Sequence, residues 1–179
     1  MNAFFTLLIG HLIADFPLQP DWVYHWKTRH WTGIAFHVSI HVAVTSLLVR
    51  DPFSHWPILL SLGLAHFAID WTKLRFDARL QTPGFLLDQL AHFTTLGLLA
   101  ALAPGLPVIL PATALYPFLL YAALPALLMF VWILALDAGR NTEHPSSLVH
   151  WARRRLLRLS QLAGIPLLVG VMLERILAS

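Results

Sequence analysis

Four apolar segments of this sequence each carry two metal-ligand side chains at a spacing of four residues. The pairs are His11 and Asp15, His37 and His41, His66 and Asp70, and Asp88 and His92. Residues at positions i and i+4 lie one turn apart on the same face of an α-helix. Ionisable side chains in membrane-crossing helices cost roughly 2.5–3.5 kcal/mol each on insertion scales, so they usually serve a function. We therefore predict that the four pairs meet in one site.

The ligand types in these pairs predict a divalent metal site. Imidazole and carboxylate together suit Zn, with Mn or Fe as alternatives, and a chain without cysteine has no thiolate ligand to offer. Eight candidate ligands exceed the need of one tetrahedral ion, and they predict two ions bridged by an aspartate. Such a pair of ions activates water and binds both oxygens in a hydrolysis. In this interpretation Asp15, Asp70 and Asp88 serve catalysis, as ligands or as a general base.

Three further polar side chains could support such a site. Lys73 lies three residues after Asp70 on the same helix face, where its ammonium could stabilise a phosphate or an oxyanion. Its aliphatic stem could equally carry the charge to the membrane interface, with no role in the site. Gln19 and Gln89 could orient ligands or water from behind the metal ligands.

Composition indicates an integral membrane protein. The chain of 179 residues is 58% hydrophobic and 12% charged, with a mean hydropathy of +0.68. A soluble domain carries about 25% charged residues. We predict an all-α bundle in a single transmembrane domain, 1–179, whose partners are the bilayer and a membrane-associated or small-molecule substrate, without nucleic acid. The predicted spans number about six: 2–16, 34–49, 56–74, 85–103, 117–136 and 162–177.

The segments between these spans are predicted from polar, aromatic and proline residues. Residues 17–33 suit an interfacial loop, because Trp and Tyr settle at headgroup depth. Residues 83–84, Pro-Gly, should turn the chain into the fourth span, and 104–116 should be a loop or a re-entrant segment. Pro125 should kink the fifth span. Residues 145–161 indicate a basic amphipathic helix that binds anionic lipid.

The distribution of basic residues predicts the orientation. Ten of the twelve Lys and Arg residues fall in 17–33, 73–84 and 137–161, which lie on one side of the six-span arrangement. Cytoplasmic segments carry the excess of positive charge. We therefore expect insertion in the cytoplasmic (inner) membrane, with the site toward the cytoplasm and both termini outside.

A possible internal repeat divides residues 1–103 into two helical hairpins, leaving 104–179 as peripheral spans. A shift of 55 residues superimposes three ligand positions on three others: His11 on His66, Asp15 on Asp70, and His37 on His92. The repeat is incomplete, because His41 falls on Leu96. It predicts a four-helix core with a pseudo-two-fold axis, and such bundles build metal sites from facing helices.

The combined motifs resemble an uncharacterised family of bacterial membrane proteins catalogued as domain of unknown function 3307. The resemblance covers most of residues 5–95 and implies no established activity. The His/Asp helices are also reminiscent of membrane-bound metal-dependent hydrolases, by analogy only. The matching motifs are His11-x3-Asp15-x3-Gln19, His37-x3-His41, His66-x3-Asp70-x2-Lys73, Asp88-Gln89-x2-His92 and Leu173-Glu174-Arg175.

Metal-dependent hydrolysis of a phosphoester lipid or another membrane-associated molecule is the function that this pattern favours. A transporter of divalent cations or protons could use the same residues, but it would need polar groups continuing to the opposite side. A non-catalytic protein could use the pairs as hydrogen bonds between helices. Paired histidines could also bind haem axially, although the three aspartates make this less natural. The sequence does not determine the oligomeric state.

Overall fold

A computed structural model describes residues 2–75, 81–140 and 146–177, apart from the side chains of residues 153 and 154. The described part of the chain is helical and contains no strand. Its seven helices are α1 (Asn2–Asp15), α2 (Asp21–Lys27), α3 (Trp31–Leu48), α4 (Trp56–Lys73), α5 (Gln81–Leu102), α6 (Ala112–Arg140) and α7 (Ser147–Leu177).

Helices α1, α3, α4 and α5 form a four-helix bundle. Around this bundle α1 packs against α3, α3 against α4, α4 against α5, and α5 against α1. Helices α1 and α4 are therefore diagonal, and so are α3 and α5. We call the end where α1 and α4 finish and α3 and α5 begin the site end, and the opposite end the far end.

Helix α1 occupies the interior of the molecule. Ten of its 14 residues are apolar, counting glycine, and ten of the 14 are buried, including Leu7, Ile9 and Ile13. A helix that is apolar all round must be covered all round. The cover comes from α3 and α5 on one side and from the hairpin of α6 and α7 on the other. Pro17 follows α1 closely, as expected of a residue that ends a helix.

At the far end, backbone hydrogen bonds join the connections that follow α3 and α5. The connection after α3 runs antiparallel to the connection after α5, with an isolated bridge between Val49 and Val108. Backbone N–H groups of Arg50 and Ile109 donate to the carbonyls of Pro107 and Leu48, at 2.9 and 3.0 Å. The Arg175 guanidinium, near the end of α7, donates to the Val49 carbonyl.

Four helices are long and apolar enough to cross a membrane: α3, α5, α6 and α7. Helix α1 is apolar but shorter, and α4 carries Asp70, Lys73 and His66 in 18 residues. Length and apolarity alone therefore support four of the six predicted spans.

Several predicted boundaries were wrong. Residues 17–33 are not a simple loop, because they contain α2 and the first turn of α3. Pro83 and Gly84 lie inside the first turn of α5, where a missing proline N–H breaks no intrahelical bond. Helix α6 already begins at Ala112, which shortens the predicted 104–116 segment, and it continues through Pro125.

The predicted basic helix and last span form one helix, α7, from Ser147 to Leu177. The change from basic amphipathic to apolar residues near 161 marks no helix end, and the helix also continues through Pro166. Residue 145, at the start of the predicted basic helix, lies outside the described residues, as does Arg79, which counted toward the predicted orientation.

Candidate metal centre

All eight side chains of the four pairs converge at the site end of the bundle. Each is at most 8% exposed, and four of the five histidines lie on different helices from the central His66. Because α1 and α4 finish there while α3 and α5 begin there, one helical turn of each helix faces the bundle axis. We call this group the His/Asp cluster: His11, Asp15, His37, His41, His66, Asp70, Asp88 and His92.

The Asp15 carboxylate faces three imidazoles. Its Oδ1 lies 3.2 Å from His37 Nε2 and 3.4 Å from His66 Nε2, and its Oδ2 lies 3.8 Å from His11 Nδ1. Three helices thus direct nitrogen atoms at one carboxylate from α1. The contact between His66 and Asp15 joins the diagonal helices α4 and α1 across the bundle.

The Asp70 carboxylate occupies a similar position on α4. Its oxygens lie 3.7 Å from His66 Nε2 and 3.9 Å from both His37 Nε2 and His92 Nε2. Asp88 Oδ1 lies 3.6 Å from His92 Nε2. His37 and His66 therefore contact both Asp15 and Asp70, which makes Asp70 the natural bridge between two halves of the cluster.

The imidazole rings surround His66. Its ring centroid lies 4.2 Å from that of His92, 4.4 Å from His41, 5.2 Å from His37 and 5.8 Å from His11. Five imidazoles at these separations offer many nitrogen ligand atoms in a volume shielded from solvent. His41 contacts the cluster only through other rings.

Most polar atoms of the cluster have no hydrogen-bond partner. Among the described residues, both ring nitrogens of His37, His41 and His66 lack one, and so do Asp15 Oδ1 and Asp88 Oδ1. Several of these atoms face one another at 3.2–3.9 Å without the alignment of a hydrogen bond. Each buried group left unpaired costs about 1–3 kcal/mol. Ring nitrogens and carboxylate oxygens that face one another without hydrogen bonds are the arrangement that ligands of a shared metal ion adopt.

The cluster contains three sets of ligand atoms that lie within 4.8 Å of one another. Two of these sets share no residue, and we call them the first and second triads. The third set, His11, His66 and His92, overlaps both. The first triad is Asp15, His37 and His66, and the second is Asp70, Asp88 and His92.

These residues fit a metal cofactor. The second triad supplies two carboxylates and one imidazole, and the first supplies one carboxylate and two imidazoles, which are ligand sets for Zn, Mn or Fe. Both triads are buried and contain unpaired ligand atoms. Each triad could therefore hold a divalent ion of this kind.

Gln89 links two parts of the cluster. Its Oε1 accepts from His11 Nε2 at 3.2 Å, and its Nε2 donates to Asp88 Oδ2 at 3.2 Å. The first contact sets which His11 nitrogen carries the proton, leaving Nδ1 to face Asp15. Gln19 is also buried, but its Oε1 has no hydrogen-bond partner among the described residues, and no contact joins it to the cluster.

Two lysines neutralise the second triad. Lys73 Nζ lies 2.7 Å from Asp88 Oδ2 and is 42% exposed, whereas Lys27 Nζ lies 3.1 Å from Asp70 Oδ2 and is 13% exposed. Burial lowers the pKa of Lys27, but the charges of Asp70 and Asp15 more than offset it, so the net pKa lies above its ordinary value. Lys27 therefore stays charged.

Sequence reasoning missed Lys27, which it left in an interfacial loop. A compositional signal was present: Lys27 and Lys73 are the two lysines of the chain, beside ten arginines. Lysine offers a compact point charge, whereas arginine offers a planar fork that suits bidentate pairing. A chain that uses arginine elsewhere and lysine at both of these positions places the compact cation specifically at the cluster.

Lys27 reaches the cluster because α2 packs closely against α3 at Gly33. A Cβ atom added at Gly33 would lie 2.5 Å from the backbone nitrogen of Lys27 and closer still to the Trp26 carbonyl group. The absence of a side chain at Gly33 therefore allows the last turn of α2 to rest directly on the first turn of α3. The contact aims Lys27 across α3 toward Asp70 on α4.

Asp137 fixes the start of α5, the helix that carries the second triad's Asp88. Its two carboxylate oxygens accept from the backbone N–H groups of Gln81 and Thr82, at 3.0 and 2.8 Å. The Thr82 hydroxyl donates to the same carboxylate at 2.7 Å. A carboxylate from α6 thus takes the place of an N-cap at the first turn of α5.

Of the comparisons with known proteins, the one with protein families found a match. The comparison with curated proteins and the comparison with solved structures each gave no match. A protein-family profile matches residues 3–113, which span α1 to α5 and contain every residue of the cluster and both lysines. The chain therefore belongs to the family described as "Protein of unknown function (DUF3307)".

Proposed function

We propose that this chain is an integral-membrane, metal-dependent hydrolase whose His/Asp cluster binds two divalent ions, most suitably Zn²⁺. The observation that carries the proposal is the set of buried ring nitrogens and carboxylate oxygens that face one another without hydrogen bonds. Helix-to-helix hydrogen bonding would pair these atoms, and it does not do so here. A structural role for the polar pairs would therefore leave several buried groups unsatisfied.

Two triads that share no residue could each hold one ion, which gives two ions in total. The first triad would hold one ion through Asp15, His37 and His66, and the second would hold another through two carboxylates and His92. Asp70, in contact with histidines of both triads, would connect the two sites.

Bound ions would act as Lewis acids and lower the pKa of water, as in other hydrolases with two-ion sites. The chain's own groups have separate tasks. Gln89 orients His11, and Asp15 faces His37 and His66 as a fellow ligand of the first triad. Lys73, exposed at one side of the cluster, is placed to bind the anionic group of a substrate such as a phosphoester lipid.

The same packing disfavours transport through the bundle. Between the cluster and the far end, apolar side chains of all four bundle helices fill the core, among them Leu7, Leu62 and Leu96. The hydroxyls of Thr6 and Thr45 are buried there and have no hydrogen-bond partner among the described residues. They are the polar groups that a transport path would use. Beyond them the described core is apolar. A polar site confined to one end of the bundle suits an enzyme better than a transporter.

Six spans with a cytoplasmic site remain the arrangement we propose. Helices α1 and α4 pack within the bundle that α3 and α5 complete, so they would lie at the same membrane depth despite their shorter apolar length. Of the basic residues described, Lys27, Lys73 and Arg75 lie toward the site end. Arg50 and Arg175 lie at the far end, where α1 begins. This distribution supports a cytoplasmic site and external termini.

The diagonal arrangement also supports a pseudo-two-fold core. The sequence repeat relates α1 to α4 and α3 to α5, and these are the diagonal pairs of the bundle. A two-fold axis along a four-helix bundle exchanges diagonal helices. The equivalent residues Asp15 and Asp70 each face imidazoles from three helices, but at different distances, so the symmetry extends to the ligands only in part.

Elemental analysis of detergent-purified protein tests the metal proposal. We expect one to two transition-metal ions per chain, and a loss of most of the metal in His66→Ala and Asp15→Asn, which alter the first triad. His150→Ala, which replaces an exposed histidine of α7, is the matched control and should retain the metal. A folded wild-type protein without metal, which also takes up none from added Zn²⁺, would refute the proposal.

The hydrolase assignment needs a second assay on the loaded protein. Phosphoester lipids in mixed micelles should be hydrolysed by wild type and by His150→Ala, and not by Asp70→Asn. Metal-dependent movement of cations or protons into liposomes, without hydrolysis of any of these esters, would favour the transporter instead.

A further inference from the structure

The two triads differ in charge. Asp15, the carboxylate of the first triad, contacts histidines and no lysine among the described residues. Both carboxylates of the second triad contact lysines: Asp70 contacts Lys27, and Asp88 contacts Lys73. An ammonium and a divalent cation compete for the same carboxylate, since each is stabilised by its negative charge.

We propose that the two metal sites are unequal: the first triad binds its ion tightly, and the second triad binds its ion weakly because Lys27 and Lys73 occupy its carboxylates. This inference rests on the proposed metal function and specifies how that site is regulated. The second ion enters when Lys73 leaves Asp88.

The two lysines are not equivalent in this competition. Lys73 is 42% exposed, so its ammonium can move into water or onto an anionic substrate at little cost. Lys27 is 13% exposed and held by the contact of α2 with Gly33. Lys27 therefore stays beside Asp70 and reduces the negative charge that the second triad presents to a metal ion. Lys73 is the ammonium that can leave its carboxylate and be replaced by the ion. An anionic group that binds Lys73 frees Asp88, which couples substrate binding to the second ion.

Equilibrium dialysis of full-length, chelator-treated protein against Zn²⁺ alone tests the inference. We expect two binding steps in wild type, one tight and one weak. Asp15→Asn should remove the tight step and leave the weak one. Lys73→Met should strengthen the weak step about tenfold, which corresponds to the loss of one hydrogen bond to a charged group. Lys73→Arg, which keeps the charge, should behave as wild type.

Arg75→Met is the matched control. Arg75 lies two residues from Lys73, but its guanidinium stacks over Trp71 at 5.1 Å from the ring centroid. We expect both binding steps to be unchanged in this variant. An equal effect of Arg75→Met and Lys73→Met would show a general charge effect and overturn the inference.

Lysine acetylation provides a second readout on the wild-type protein, in case a variant fails to fold. Peptide mass spectrometry follows Lys73 separately from Lys27, and no other lysine interferes. We expect saturating Zn²⁺ to accelerate the acetylation of Lys73 relative to the protein with one ion.

Two results would overturn the inference while the proposed function stands: two Zn²⁺ ions bound with equal affinity, or a weak step that Lys73→Met leaves unchanged. The inference would also be overturned if the acetylation rate of Lys73 stays the same when the second ion binds. Wild-type protein that binds no Zn²⁺ would instead overturn the proposed function itself.

Discussion

Replacing Gly33 with alanine should separate α2 from α3 and weaken the hold of Lys27 on Asp70. The new Cβ would lie 2.5 Å from the Lys27 backbone nitrogen, whereas ordinary contacts begin at 3.4 Å. The two helices must therefore move apart by about 1 Å, since the obstructing atoms are backbone and cannot rotate away. The Lys27 to Asp70 contact, now 3.1 Å, would approach the limit of about 4 Å for an ion pair.

The expected cost follows from two opposing terms. Overpacking of this kind costs about 1–3 kcal/mol, and alanine regains up to about 1 kcal/mol of helix propensity. We expect Gly33→Ala to lose about 1–2 kcal/mol of unfolding free energy. The measurement is titration of mixed micelles with sodium dodecyl sulfate, followed by circular dichroism, on chelator-treated protein so that metal binding adds nothing.

Gly97→Ala is the matched control in this experiment. Gly97 also lies in a helix of the bundle, but a Cβ there would meet nothing within 4 Å. We expect it to be neutral or to gain up to about 1 kcal/mol from helix propensity. If Gly33→Ala proves as stable as Gly97→Ala, then α2 does not rest on α3 as described, and the placement of Lys27 is wrong.

Variants at three other positions test separate contacts. Gly164→Ala should lose about 1–3 kcal/mol, because a Cβ there would collide with the Pro17 ring where α7 meets the end of α1; the unfolding midpoint in detergent measures it. Asp137→Ala should lose about 1–2 kcal/mol as the capping contacts of α5 disappear, and Asp137→Asn should lose less, by thermal denaturation. Arg175→Met, at the far end, should leave Zn²⁺ stoichiometry unchanged although it frees the Val49 carbonyl.

The spacing of the polar pairs is a local property, and it was readable from the sequence. Positions i and i+4 share a helix face in any helix, so His66 with Asp70, for example, had to point the same way. The convergence of four such pairs also needed the order of helices around the bundle, which the repeat suggested through the match of Asp15 with Asp70. All-helical structure and apolar spans followed from composition.

The docking of α2 was not readable from the sequence. Residues 17–33 mix tryptophan, charge and proline, which is typical of an interface and leaves no periodic apolar face to count. The contact of α2 with α3 depends on one missing side chain, at Gly33, and a lone glycine in a helical pattern does not indicate which neighbour approaches it. The continuity of α7 was missed because a change of polarity was interpreted as a helix boundary, although polarity reports surroundings and not backbone geometry.

The interior position of α1 has a consequence for biosynthesis. The ribosome makes this helix before α6 and α7, which cover one of its flanks. Contacts between residues so distant in sequence form only after the intervening chain exists. In the proposed membrane arrangement, His11 and Asp15 would meanwhile have no partners from α4 or α5, at a considerable cost in lipid. In that arrangement, α1 would wait at the insertion machinery or the membrane surface, and its final entry would coincide with the assembly of the cluster.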